Sequence, residues 1–150
     1  MRIGFYHLVR LPLEQALPRL LDKVRAAGHK VVVMAGSDER VAYLDDLLWS
    51  WEPDSWLPHG SARDGDGPLQ PIWLTADEDN PNGGDVLVLT DGVTPAGFDG
   101  YDRCLNMFDG NDEQAVQNAR SQWKVWKDQG HELVYYQQSP EGRWDEKARS

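Results

Sequence analysis

An α/β fold with a mostly parallel sheet is predicted by three features of this 150-residue chain. The first is Lys30-Val31-Val32-Val33-Met34-Ala35, a continuous apolar run of the kind that forms a strand buried on both faces. The second is what precedes it. Ile3 to Leu8 reads as a strand, and Leu13, Leu17, Leu20, Leu21 and Val24 then recur at helical period until Gly28 closes the helix. Strand, helix and buried strand make a βαβ unit, whose crossover requires parallel neighbours. The third is that strand-like and helical runs keep recurring to about residue 138.

Each element has its own signals. Pro18 interrupts the first helical pattern, so the helix either starts nearer Ala16 or kinks at Pro18. Ser37 is a good N-cap for a second helix, with Asp38 and Glu39 in its first turn. Val41, Leu44, Leu47, Leu48 and Trp51 form the apolar face of that helix, and Trp49 falls off this stripe. Pro53 to Gly60 is a proline-bounded apolar loop. Ser61 to Gln70, rich in Gly, Asp and Pro, reads as a mobile loop. Pro71–Thr75 and Val86–Thr90 are strand-like, separated by turn chemistry at Asn82-Gly83-Gly84. Tyr101–Phe108 reads as a further strand, Asp112–Gln129 as a third helix ended by Gly130, and His131–Gln138 as a last strand before a charged tail, about 139–150. The predicted architecture is one three-layer α/β domain, Rossmann-like but without a phosphate-binding loop.

Composition narrows the function. The hydrophobic fraction of 40 % and charged fraction of 27 % read as a soluble globular protein. A net charge of −10 argues against broad nucleic-acid binding, which needs basic surface. The single Cys104 allows no internal disulfide and no CxxC zinc site, which points to a reducing cytoplasm. No signal peptide is visible, and no apolar stretch approaches the ~20 residues of a membrane span. Seven tryptophans are more than one core readily holds, so some are candidates for partner surfaces.

Motifs for catalysis are missing. Val9-Arg10-Leu11-Pro12, after the first strand, carries neither GxGxxG nor a P-loop Lys. There is no GxSxG elbow. His7, His29, His59 and His131 are scattered, so no metal site is expected. Asp64-Gly65-Asp66-Gly67 lacks the closing Glu of a calcium loop. Cys104, in mid-strand, reads as a buried apolar filler. No cofactor is expected.

Two constellations remain. Arg120, Lys124 and Lys127 fall on one face of the third helix, with Trp123 and Trp126 between them. One reading is a solvated basic face that neutralises acidic neighbours. The other is a carboxylate-binding pocket, in which Arg chelates, Lys adds a point charge and an aromatic wall takes an apolar group. The second constellation is Trp49 with Trp56-Leu57-Pro58-His59: either a local mini-core under the loop or a hydrophobic partner interface.

Phe5-Tyr6-His7-Leu8, Leu47-Leu48-Trp49, Ser55-Trp56-Leu57-Pro58-His59-Gly60, and Ala119-Arg120 with Trp123-Lys124 and Gly130 occur in this order. Together they closely resemble the chi subunit family of the bacterial DNA polymerase III holoenzyme, from Phe5 to about Gln138. The resemblance implies a non-catalytic subunit of that DNA-directed DNA polymerase, a nucleotidyltransferase, acting in the cytoplasm at replication forks. Its implied role is to link the clamp loader to single-stranded DNA-binding protein by gripping that protein's acidic, Ile-Pro-Phe-ended tail. The implied tail site is Arg120, Trp123, Lys124 and Gly130; Lys127 joins it on spacing. Trp49, Trp56, Leu57, Pro58 and His59 would meet the psi subunit or another clamp-loader subunit. DNA contact would be mainly indirect. The loop around Gly65 and the tail after Gly142 have no counterpart in this pattern.

Two other readings compete. One is a small α/β enzyme that binds a nucleotide or phosphate at the sheet's carboxyl edge, with Arg10 and Ser37 as its best residues. The other is direct single-stranded DNA binding through the basic stripe and tryptophans, which the net charge weakens.

Overall fold

The computed structural model describes residues 1–9, 11–50, 59–61, 67–139, 141 and 143–150. The first three elements are β1 (Arg2–Leu8), α1 (Leu13–Ala26) and β2 (Val31–Met34), the expected βαβ unit. Next come α2 (Asp38–Ser50), β3 (Gly60–Ser61), a 3-10 turn (Gly67–Leu69), β4 (Ile72–Thr75) and β5 (Val86–Leu89). β6 (Arg103–Asp109), α3 (Glu113–Asp128), β7 (Glu132–Gln138) and β8 (Trp144–Arg149) complete the chain. The strands form one sheet in the order β3-β4-β2-β5-β6-β1-β7-β8. Every pairing is parallel except β7 with β8.

Strand alternation divides the sheet into two apolar faces. Tyr6, Leu8, Val31, Val33, Leu74, Leu105 and Met107 meet Leu17 and Leu21 of α1 and Leu44 and Leu48 of α2. Ile3, Phe5, Val32, Leu87, Leu89, Cys104 and Phe108 meet Ala119 and Trp126 of α3. The result is the expected three layers, with two helices on one face and one on the other. Cys104 is fully buried, and that burial pushes its thiol far above the usual range, as befits a filler.

Local chemistry sets the helix ends. The Pro12 carbonyl accepts from Gln15 and Ala16, so α1 starts at Leu13, not nearer Ala16. Pro18 therefore lies in the second turn, where its missing N–H leaves the Glu14 carbonyl without its usual partner. Ser37 Oγ accepts from the Arg40 amide at 3.2 Å, the predicted cap of α2. Asp112 caps α3 by accepting from the Gln114 amide at 3.0 Å. Gly28 and Gly130, both at φ of +89°, end α1 and α3 in the left-handed conformation that a side chain would strain.

The expected charged tail is instead a strand. β8 pairs antiparallel with β7, and Ser150 exchanges backbone bonds of 2.9 and 2.8 Å with Leu133. Trp144 packs edge-on against Tyr6 at 5.1 Å, and Tyr6 stacks on Tyr136 at 5.0 Å. An edge strand that is mostly solvated keeps polar residues on both faces, so it offers no apolar alternation to read. Within the expected mobile loop, Ser61 belongs to β3 and Gly67–Leu69 forms the 3-10 turn; residues 62–66 lie outside the described residues.

Gly110 follows β6 and its amide donates to the Leu8 carbonyl at 2.8 Å. A Cβ at this position would overlap the His7 ring and approach the Leu8 carbonyl. Gly110→Ala is expected to destabilise the fold by about 1–3 kcal/mol, the usual cost of overpacking, in urea unfolding.

Candidate functional site

Helix α3 carries its buried face on Ala119, Gln122 and Trp126. Arg120, Lys124 and Lys127 are all exposed on the adjoining flank. Among the described residues no carboxylate forms an ion pair with any of the three. Among the described residues, then, the stripe makes no ion pair with an acidic neighbour. Trp123 lies between the buried face and the basic flank and is half-buried. Trp126 is only 2 % exposed and belongs to the core.

The bed under Trp123 comes from the sheet. Phe5 of β1 meets Trp123 edge-on at 5.2 Å and Trp126 at 5.6 Å. The parallel register sets Phe5 beside Tyr135 of β7 and His7 beside Phe108 of β6. Phe108 lies 6.4 Å from Tyr135 and 5.1 Å from the His7 ring. Tyr135 is half-buried and feels the Arg120 charge: burial raises its pKa, and Arg120 opposes that rise. A hydroxyl, an imidazole and a guanidinium thus border one aromatic surface. Sequence reading missed Phe5, His7, Phe108 and Tyr135 as site neighbours. Their common signal was an aromatic ring on each of three strands, which becomes one surface only when the strand order is known.

His7 Nδ1 meets the Tyr135 hydroxyl. Burial pulls the His7 pKa below its ordinary value, partly offset by the Gly110 backbone and Asp109. As pH falls, the unfolded chain then takes up this proton before the folded one. The stability tied to His7 is complete above the ordinary His value of about 6.5 and is lost as pH falls from there through the folded value. Thermal unfolding is expected at lower temperature at acidic than at neutral pH, with a smaller drop in His7→Gln.

The second constellation lies on the α1/α2 side. Trp49 is 56 % exposed, the largest exposure among the big hydrophobic residues described. It rests on His59 with ring centroids 4.1 Å apart. His59 is itself buried: its Nε2 donates to the Asp45 carbonyl at 3.1 Å and lies 3.0 Å from the Asp45 carboxylate. His59 thus holds Trp49 from beneath, a buried place that fits the mini-core reading for this residue rather than direct contact with a partner. Trp51, Trp56, Leu57 and Pro58 lie outside the described residues.

At the carboxyl edge a crevice of about 740 Å³ opens between α1, α3 and the ends of β1 and β6. It is where a Rossmann-like fold would hold a phosphate, but the charged groups that line it among the described residues are mostly carboxylates, and the nearby Gly36 and Ser37 are already engaged. The Gly36 amide already donates to Asp91 Oδ2 at 3.0 Å, and Ser37 Oγ is occupied as a helix cap. Arg40 is chelated by Asp91 at 3.1 and 3.3 Å. Glu14, Asp109 and Asp112 add negative charge. Arg10 lies outside the described residues. Among the described residues no cluster of three or more His, Cys, Asp or Glu side chains is arranged to hold a metal ion, and no helix is long and apolar enough to cross a membrane.

Residues 1–134 match the family model described as "DNA polymerase III chi subunit, HolC". A Rickettsia prowazekii (strain Madrid E) protein named "Probable DNA polymerase III subunit chi" is 30 % identical over 88 residues. That alignment covers 59 % of this chain and 53 % of the relative, so the chain spans about half the length of the curated relative it matches. The family match runs from β1 into β7 and takes in all of α3, and on that extent the chain belongs to the DNA polymerase III chi subunit family.

Proposed function

We propose that this chain is a non-catalytic accessory subunit of a replicative DNA polymerase III holoenzyme. It works in the cytoplasm at replication forks and links the clamp loader to single-stranded DNA-binding protein by holding that protein's acidic, Ile-Pro-Phe-ended tail. One observation carries the reading. On a chain of net charge −10, three exposed cations without carboxylate partners among the described residues flank a half-buried tryptophan on an aromatic bed. Arg120 and Lys124 take the tail's carboxylates, Arg120 in bidentate fashion. The terminal Phe ring lies against Trp123, beside Tyr135. Lys127 adds charge towards the helix end, and Gly130 turns the chain away without a side chain.

Trp49 supplies the partner-subunit contact, with His59 as its support, and Trp56, Leu57 and Pro58 take part in it. The partner is a psi subunit or another clamp-loader subunit. Its DNA contact is mainly indirect, because the overall charge repels phosphate. The nucleotide-enzyme reading gains no support from a crevice lined by carboxylates.

A pull-down from cell extract with tagged full-length chain tests the class of function. Single-stranded DNA-binding protein and clamp-loader subunits are the expected catch. Turnover of any member of a nucleotide panel, with neither partner recovered, would restore the enzyme reading.

A further inference from the structure

The sheet face opposite α3 carries a set of groups that tail binding leaves unused. They gather at the amino end of β1, β6 and β7. Arg2 shares strand parity with Tyr6 and Leu8, and Arg103 with Leu105 and Met107, so both arginines lie on the α1 side of the sheet. The parallel register sets Arg2 directly opposite Arg103. Like charges so placed repel one another. No carboxylate forms an ion pair with either. Glu132, in register with Arg2, and Glu146, in register with Tyr136, are both taken by Arg149, at 3.1 and 2.6 Å.

Tyr6 brings a third group to the same place. Gly4 leaves room above β1 that two rings fill: a Cβ there would come within 2.9 Å of the Tyr6 ring and 3.4 Å of the Tyr136 ring. The Tyr6 ring therefore leans back along β1 towards Arg2, with Tyr136 stacked on it and Trp144 edge-on. Tyr6 is only 6 % exposed, yet its hydroxyl has no hydrogen-bond partner and is not sealed from solvent. Burial, and after it Tyr136, raises the Tyr6 pKa to about 12; Arg103 and Arg2 oppose that rise, so both charges act on this hydroxyl. At neutral pH it is a protonated donor beside two cations. An unpartnered donor on a mostly buried side chain calls for an acceptor from a ligand.

We propose that this shelf binds a phosphate group. A phosphate monoester carries roughly −1.5 to −2 charges at pH 7, which matches two unpaired arginines; a carboxylate brings only one. The phosphate oxygens accept from the Arg2 and Arg103 guanidiniums and from the Tyr6 hydroxyl. Tyr136 and Trp144, both half-buried, give the shelf an aromatic side for an organic group attached to the phosphate. The net charge of −10 acts against every anion at long range, so the affinity rests on these contacts. The shelf and the Arg120 stripe lie on opposite faces of the sheet, so the proposal stands or falls independently of tail binding.

The phosphate is either the free ion or the terminal group of an ester. Two titrations into the ¹⁵N-labelled full-length chain separate them, one with inorganic phosphate and one with deoxycytidine 5′-monophosphate, at ionic strength held constant with sodium chloride. The Nε–H signals of Arg2 and Arg103 are the readout. Saturable shifts with either probe support the proposal, and the tighter probe names the source. Arg2→Gln with Arg103→Gln should bind at least about tenfold more weakly. Tyr6→Phe removes only the hydroxyl and should bind about fivefold more weakly. The absence of saturable shifts up to roughly 10 mM of either probe, a limit set by millimolar affinity, would overturn the proposal. So would unchanged affinity in the double Gln variant.

Discussion

Arg120→Glu with Lys124→Glu is expected to abolish binding of an acidic Ile-Pro-Phe-ended peptide, a loss of at least ~100-fold in fluorescence anisotropy. Both residues are exposed and neither is paired with a carboxylate among the described residues, so reversal breaks no ion pair of the fold. The melting temperature should stay close to wild type, because a surface change of this kind usually costs within about 0.5 kcal/mol. The wild-type affinity should itself fall as salt is raised. Arg120→Lys keeps the charge but loses the planar fork, and is expected to retain weakened binding. If the double reversal binds as well as wild type, the tail site lies elsewhere.

Trp126→Ala and Trp123→Ala should separate fold from function on neighbouring turns of one helix. Trp126 is 2 % exposed and lies 5.3 Å from Phe98 and 5.6 Å from Phe5. Removing it leaves a cavity, with an expected loss of about 3–5 kcal/mol in urea unfolding. Against a typical total of ~5–15 kcal/mol, that is enough to leave a marginal protein. Trp123 is half-buried and faces the basic flank, so truncation there should cost less stability and more peptide affinity. Intrinsic fluorescence gives a cross-check: the peptide should perturb emission in wild type and much less in Trp123→Ala. Equal stability loss in both variants would contradict the division of labour between the two rings.

The layer order and most elements were legible because their signals are local. A four-residue strand buried on both faces, β2, stands out as Val31 to Met34, and Gly28 and Gly130 mark helix ends whose left-handed turns favour glycine. Arg120, Trp123 and Lys124 were legible because helical spacing alone puts them together. Phe5, His7, Phe108 and Tyr135 were not, since they converge only through the β6-β1-β7 order. The choice between the two readings of His59 was open for a related reason. A polar residue next to aromatic ones reads as surface, but the Asp45 carbonyl and carboxylate receive it in the interior. β8 was hidden because Asp145, Glu146 and Lys147 look like any solvated tail.

The place of β1 in the sheet has a consequence for synthesis. The first strand made is flanked by β6 and β7, with Arg2 opposite both Arg103 and Glu132. A ribosome must therefore deliver β6 (Arg103–Asp109) before β1 has its first neighbour and β7 (Glu132–Gln138) before it has both, and such distant pairings are the slow part of folding. The surface assembled there draws Phe5 and His7 from the chain's beginning, Trp123 from its last helix and Tyr135 from near its end. An unfinished chain cannot assemble that surface. Any partner that reads it is also reading that β1, β6, α3 and β7 have all been made and folded together.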